Sequence, residues 1–302
     1  MLLDHLRAAR ASGAERGWTL SFNRARLYGF PFRLDLDLQD ARIADPSGWA
    51  VEAPHLKAEA YLFAPANWVA VAPEGVVITR RSAGPLIVRG KALRASLSQW
   101  GARPPRLSVE GLDVTFVTPP GARPFALVSA SGFHLHTRAG PNDQGAIYIG
   151  IEGGRARSSG TLDDIAGGKP VAITLDALWS HASALSGGAW PVRVKNWAEA
   201  GGDLTTRHLE IIAGPASIWA APGIFSVDRD GRLLGNLSVT LGRTRQILSA
   251  MTLNGKLPAE TARAAETAAG PPGPASVVLP LYFQAGRTTL GPVALGPSPR
   301  VF

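Results

Sequence analysis

Gly29-Phe30-Pro31-Phe32-Arg33-Leu34-Asp35-Leu36-Asp37-Leu38-Gln39-Asp40 opens on a Gly-aromatic-Pro turn and then alternates strictly between apolar and polar residues. Side chains change face at every residue of a β-strand. Phe32, Leu34, Leu36 and Leu38 therefore share one face, and Arg33, Asp35, Asp37 and Gln39 share the other. A helix would scatter those leucines around its circumference. The stretch predicts a strand with one apolar face and one wet face, its aspartates on the wet side.

The same period of two recurs along the chain. Trp18, Leu20 and Phe22 precede the stretch; Asp45-Pro46-Ser47-Gly48 follows it as a turn. Alternating runs continue through Leu56/Ala58/Ala60, Leu93/Ala95/Leu97, Leu107/Val109, Phe133/Leu135, Ile147/Ile149/Ile151, Val171/Ile173/Leu175 and Val277/Leu279/Leu281/Phe283. Short strands at such regular intervals predict an antiparallel meander. Helical periodicity is confined to residues 1–16, 194–200, 244–251 and 258–269. The last of these starts at Pro258 and is stopped by Gly270-Pro271-Pro272. The expected architecture is mainly β: an N-terminal helix at 1–16, then one elongated domain over 17–302 with a candidate join between halves near 160–200.

Composition narrows the function classes. At 302 residues with 45% hydrophobic content, the chain can bury a real core. It has no cysteine, which excludes thiol catalysis, disulfides and Cys-ligated metals. The net charge is +8, yet the basic residues stand as singles and pairs such as Arg80-Arg81, so no nucleic-acid groove is expected. Attraction to a membrane surface with anionic head groups suits that charge better. Met1-Leu2-Leu3-Asp4-His5-Leu6 carries neither a signal-peptide core nor a spanning helix. Two expectations stay open: a soluble protein, or a membrane anchor encoded before Met1.

Motifs for chemistry are sparse. His134 and His136 share a strand face, but a metal needs a third ligand and none stands nearby. Asp228-Arg229-Asp230-Gly231 starts like a calcium loop, lacks its later ligands, and reads as a hairpin turn. Asp35/Asp37 and Asp163/Asp164 are carboxylate pairs that solvation explains. No Gly-x-Ser-x-Gly and no phosphate-binding glycine loop occurs. No catalytic residue, metal or cofactor is expected. Trp68 and Trp100 stand at strand ends, where amphipathic rings mark interfaces.

The phrase at 29–35, with Gly17-Trp18, Trp49…Ala53-Pro54 and Ala64-Pro65…Val69-Ala70-Val71-Ala72-Pro73, resembles the N-terminal half of a family of bacterial envelope proteins known as DUF2125, chiefly alphaproteobacterial. Gly201-Gly202-Asp203-Leu204 through Val239, and the ending Gly286…Leu290-Gly291-Pro292, resemble its later half. Members usually begin with a transmembrane helix. The family supplies no catalytic residues. The strand-after-strand organisation is more distantly similar to AsmA-like proteins, which implies an elongated, curved antiparallel sheet forming a groove or half-barrel.

The resemblance thus implies a non-enzymatic, inner-membrane-associated periplasmic protein that binds or transfers lipid or another hydrophobic ligand. Phe32, Leu34, Leu36 and Leu38 are the candidate groove lining; their packing as ordinary core is the competing expectation. An envelope scaffold that binds proteins through its sheet edges is the alternative function.

Overall fold

A computed structural model of the chain describes residues 18–268, 276–291 and 293–302. The helix expected at 1–16 and the stop at 270–272 lie outside the described residues. What is described is one antiparallel sheet with four short helices.

The sheet is a meander whose strands stand side by side almost in chain order. β1 (Thr19–Ser21) and β2 (Arg24–Tyr28) both pair with β3 (Arg33–Ala44), at its two ends. β3 pairs with β4 (Ala50–Tyr61), which then meets β5 (Trp68–Val71) and β6 (Val76–Arg80) side by side. β7 (Gly84–Arg89) and β8 (Ala92–Ser98) together face β9 (Arg106–Val117). Then follow β10 (Leu127–Ala139), β11 (Gly145–Ala156), β12 (Val171–Trp179) and β13 (Leu204–Ala213). β14 (Ala216–Ala220) and β15 (Gly223–Val227) fill one position between β13 and β16 (Leu233–Gly242). β17 (Val277–Gln284), β18 (Arg287–Leu290) and β19 (Val293–Pro297) complete it. Split positions arise where the sequence interrupts a strand, as Ala72-Pro73-Glu74-Gly75 does between β5 and β6.

Helices occupy the connections that are too long for a hairpin. They are α1 (Thr161–Ala166), α2 (Trp190–Glu199), α3 (Thr244–Leu253) and α4 (Ala259–Ala268). The last three match the helical periodicity of the sequence to within a few residues. α1 was not expected. It is a single turn and a half, stopped by Gly167 in the left-handed conformation, too short to show a period.

The opening stretch behaves as a strand with two departures. Leu34, Leu36 and Leu38 face Ala60, Ala58 and Leu56 of β4, as alternation requires. Phe32 lies in the turn before the strand and is 73% exposed. Asp35, expected on the wet side, is only 6% exposed. It is held by the Arg33 guanidinium, whose Nε donates at 2.8 Å, beneath the Gly29 turn. Gly29 has φ +90°, and a Cβ there would fall 2.6 Å from Asp35 Oδ2. The Gly-aromatic-Pro turn thus closes over the carboxylate, which removes it from water without removing its charge partner.

The helices pack on the apolar face of the sheet. Ile165 of α1 touches both large core clusters, one built on Val88, Val114, Phe116, Leu127 and Val171, the other on Phe225, Leu237, Val239, Leu241 and Ile247. α3, α4 and the loop between them add Leu248, Leu257, Ala262 and Ala265. A smaller cluster holds Leu36, Leu38 and Ala41 with Phe22, Leu56 and Trp68. Asp45, at the β3–β4 turn, meets α2, which follows β12: Arg193 Nη2 donates to Asp45 Oδ2 at 2.7 Å. Trp190 of α2 also donates to the Val301 carbonyl at 2.9 Å. α2 therefore ties the early strands to the C-terminal segment.

Strand length corrects one expectation. β3, β4, β9 and β11 have 12 residues each and β10 has 13, so the strands are not uniformly short. Pro54 lies within β4 without ending it.

Candidate functional site

Register turns single alternating strands into a surface. Residues directly opposite in an antiparallel pair project to the same face. Following the pairs across the sheet gives Leu27, Leu36, Ala58, Ala70, Ala95, Val109, Leu135, Ile149, Leu175, Leu209, Ala220, Val239 and Leu279 as one row. Every member is aliphatic, from β2 to β17. The row one residue away reads Arg26, Asp37, Lys57, Val71, Arg94, Glu110, His134, Gly150, Thr174, Glu210 and Trp219. That is the wet face.

The aliphatic face is covered unevenly. On one side of the central row stand Leu93, Phe133, Ile151 and Ile173, which pack against the core cluster that α1 caps. On the other side stand Leu97, Leu107 and Ile147. These three, with Val109, Leu135, Ile149 and Leu175 of the central row, are half-buried. Among the described residues they belong to none of the buried clusters. Together they form an apolar stripe across β8 to β12 with one polar interruption, Thr137, between Leu107 and Ile147. These residues are neither fully buried nor among the exposed large hydrophobics, so they form an intermediate layer of the apolar face.

Phe32, Leu34, Leu36 and Leu38 do not stand in the centre of this stripe. Leu36 is in the long row, but at its covered end: Leu36 and Leu38 are 7% and 4% exposed, inside the small N-terminal cluster. Leu34 is half-buried beside Ala60, and Phe32 is off the strand. The stripe residues are legible in sequence as strand residues. What distinguishes them is which alternating runs lie opposite one another and which of those runs the described core clusters include.

The wet face carries ion pairs. His55 Nε2 lies 3.0 Å from Asp37 Oδ2, with Glu74 3.7 Å from its other nitrogen. Arg94 bonds Glu110 across β8 and β9. The His55 hydrogen bond holds the Asp37 carboxyl below its usual value, helped by the charges of His55, Lys57 and Arg26 and opposed by burial. The Arg94 hydrogen bond does the same for Glu110, again against burial, with smaller help from the charges of Arg94, His136 and His134. A carboxylate whose folded pKa is depressed adds stability that is complete above its unfolded pKa and lost as pH falls through the folded value. The urea midpoint should therefore be flat on the neutral side and decline once pH drops below about 4. Arg94→Gln should shrink that decline by lowering the neutral plateau, by no more than about 1 kcal/mol because the pair is exposed, and the two proteins should converge in acid. An equally steep acid decline in the variant would contradict this.

The remaining motifs resolve into structure. His134 and His136 stack with ring centroids 6.1 Å apart, and His136 stacks in turn on Tyr148 at 5.9 Å. Among the described residues no group of three His, Cys, Asp or Glu is placed to hold a metal ion. Asp228 Oδ1 accepts from the Asp230 and Arg232 amides, so Asp228–Gly231 is the hairpin turn expected. Asp164 accepts from Asn254 at 2.6 Å, a strut between α1 and α3. A Ser–His–Asp grouping not visible in the sequence occurs at Ser180, His181 and Asp203. Its order is wrong for a nucleophile: Ser180 Oγ donates to Asp203 at 2.9 Å, and His181 Nδ1 stands 3.2 Å behind it. It pins the end of β12 to the start of β13.

Among the described residues no helix is long and apolar enough to cross a membrane. A family described as an uncharacterized protein conserved in bacteria (DUF2125) matches residues 3–299. No curated protein and no solved structure matches the chain.

Proposed function

The chain belongs to the DUF2125 family, and from that premise we propose that it is a non-enzymatic protein of the bacterial periplasm, associated with the inner membrane, that binds or transfers a lipid through its apolar stripe. The observation that supports this reading is the aliphatic row across β2 to β17, whose central members Val109, Leu135, Ile149 and Leu175 are half-buried and, among the described residues, outside the core clusters. The mechanism is partition. Aliphatic strand faces replace the bilayer around an acyl chain, and each methylene so transferred exchanges water for hydrocarbon at about 0.8 kcal/mol. No bond is made or broken, and the clustered polar groups are accounted for by turns, struts and surface ion pairs.

Protein purified without detergent, extracted with organic solvent and analysed by mass spectrometry should yield acyl lipid in a fixed ratio to protein. Repeated recovery of lipid-free, folded protein would overturn the reading. The competing function is an adaptor that recruits a protein strand to β1/β2 or β19, where the described sheet ends. Lipid-free protein that captures a discrete partner through those edges would put it in place of the lipid reading.

A further inference from the structure

Ten phenylalanines occur in the chain, and three of them are exposed: Phe30 at 78%, Phe32 at 73% and Phe63 at 81%. All three stand at one end of the early strands. Phe30 and Phe32 lie in the β2–β3 turn; Phe63 lies in the β4–β5 loop, after Tyr61, which is 68% exposed. Trp100, 56% exposed, sits beside them in the β8–β9 loop. These loops are joined. The Leu62 amide donates to the Phe32 carbonyl at 3.3 Å. Trp100 Nε1 donates to the Ala66 carbonyl at 2.6 Å, and Trp68 Nε1 to Pro65 at 3.0 Å.

Charge separates this cluster from the rest of the surface. The segments 28–33, 61–67 and 99–106 contain no carboxylate, and their charged residues are Arg33, Arg103 and Arg106. The nearest acids in sequence, Asp35 and Glu59, are on the strands and face Arg33 at 2.8 and 4.0 Å. Exposed phenylalanine is costly in water, and a contiguous exposed apolar patch marks a protein or membrane contact. With Arg33 held by carboxylates, Arg103 and Arg106 are the arginines of these loops without an ion-pair partner among the described residues. Projecting rings beside such arginines fit the head-group region of an anionic bilayer, where rings enter the acyl boundary and arginines meet phosphate.

We propose that these three loops are a membrane-docking tip for an anionic lipid bilayer. The proposal rests on the membrane association given above and names the surface responsible. Its position adds a consequence: Leu97 and Leu107, at one margin of the apolar stripe, are the pair next to Ser98 and Arg106 at the base of the Trp100 loop. A docked bilayer would meet the stripe directly.

The test is flotation of the full chain with vesicles of phosphatidylcholine and phosphatidylglycerol, seven to three. Phe30→Ser with Phe63→Ser should lower vesicle partitioning at least about tenfold while leaving the thermal melt unchanged. Arg103→Gln with Arg106→Gln should remove most of the preference for phosphatidylglycerol over pure phosphatidylcholine. Undiminished flotation of the phenylalanine variant overturns the tip, as does a parent protein that does not float. A dimer in light scattering that dissociates in the phenylalanine variant assigns the patch to a second copy and also overturns it. Lipid recovered from the purified phenylalanine variant reports on the stripe alone, so failure of the tip and failure of the lipid-binding reading are separable.

Discussion

Gly214→Ala is expected to cost about 3 kcal/mol or more of folding stability, since left-handed backbone and a backbone clash add. Gly214 turns the chain between β13 and β14 at φ +56°, and a Cβ there would fall 2.1 Å from the Ala166 carbonyl oxygen. That oxygen belongs to the end of α1, whose Ile165 packs against both large clusters. The turn cannot yield without moving the helix, and the helix cannot move without opening a contact in each cluster. Gly167→Ala supplies the comparison: φ is +61°, and no atom lies within 4 Å of the added Cβ. It carries only the left-handed penalty, about 1 to 2 kcal/mol. Urea denaturation of both variants should show Gly214→Ala clearly the less stable. Equal losses would mean that α1 is not wedged against the turn.

The contrast between those glycines shows what the sequence could disclose and what it could not. Alternation in Leu34, Leu36 and Leu38 identified strand, face and antiparallel class because period two is a local property. Helices α2 to α4 were legible for the same reason, through a Pro start or a glycine stop. α1 was not, because six residues hold no full repeat. Asp35 departs from the alternation because its burial depends on a turn folding back over it, with Gly29 needed to let the carboxylate fit. The stripe is non-local to a greater degree. Leu135 and Leu36 look alike in their own strands, yet one is half-buried outside the described clusters and the other lies under Phe22 and Trp68. Only cross-strand register and the placement of α1 separate them. The exposed phenylalanines resemble core residues for a related reason: Phe32 continues the apolar alternation, but the strand begins one residue later.

That difference between Leu36 and Leu135 sets the second large effect. Leu135→Gln combined with Ile149→Gln places two amides opposite one another on β10 and β11, in the middle of the stripe. An acyl chain lying there would cover both without hydrogen-bonding either, at a cost of about 1 to 3 kcal/mol each. Lipid recovered with the purified protein should therefore fall about a hundredfold or more. Water can still reach the amides in lipid-free protein, so folding stability should drop by less than about 1.5 kcal/mol. A covered core makes the opposite pairing: truncations such as Leu38→Ala cost about 2 to 4 kcal/mol because they leave a cavity and remove packed contacts. Stability and lipid content thus read out two different fates for aliphatic residues on one face. If the double glutamine variant unfolds as readily as Leu38→Ala, the stripe is interior and protein fills it. If it stays folded and loses its lipid, the half-buried aliphatics of β8 to β12 are the binding surface, and the leucines of the opening strand are the core that holds that surface in place.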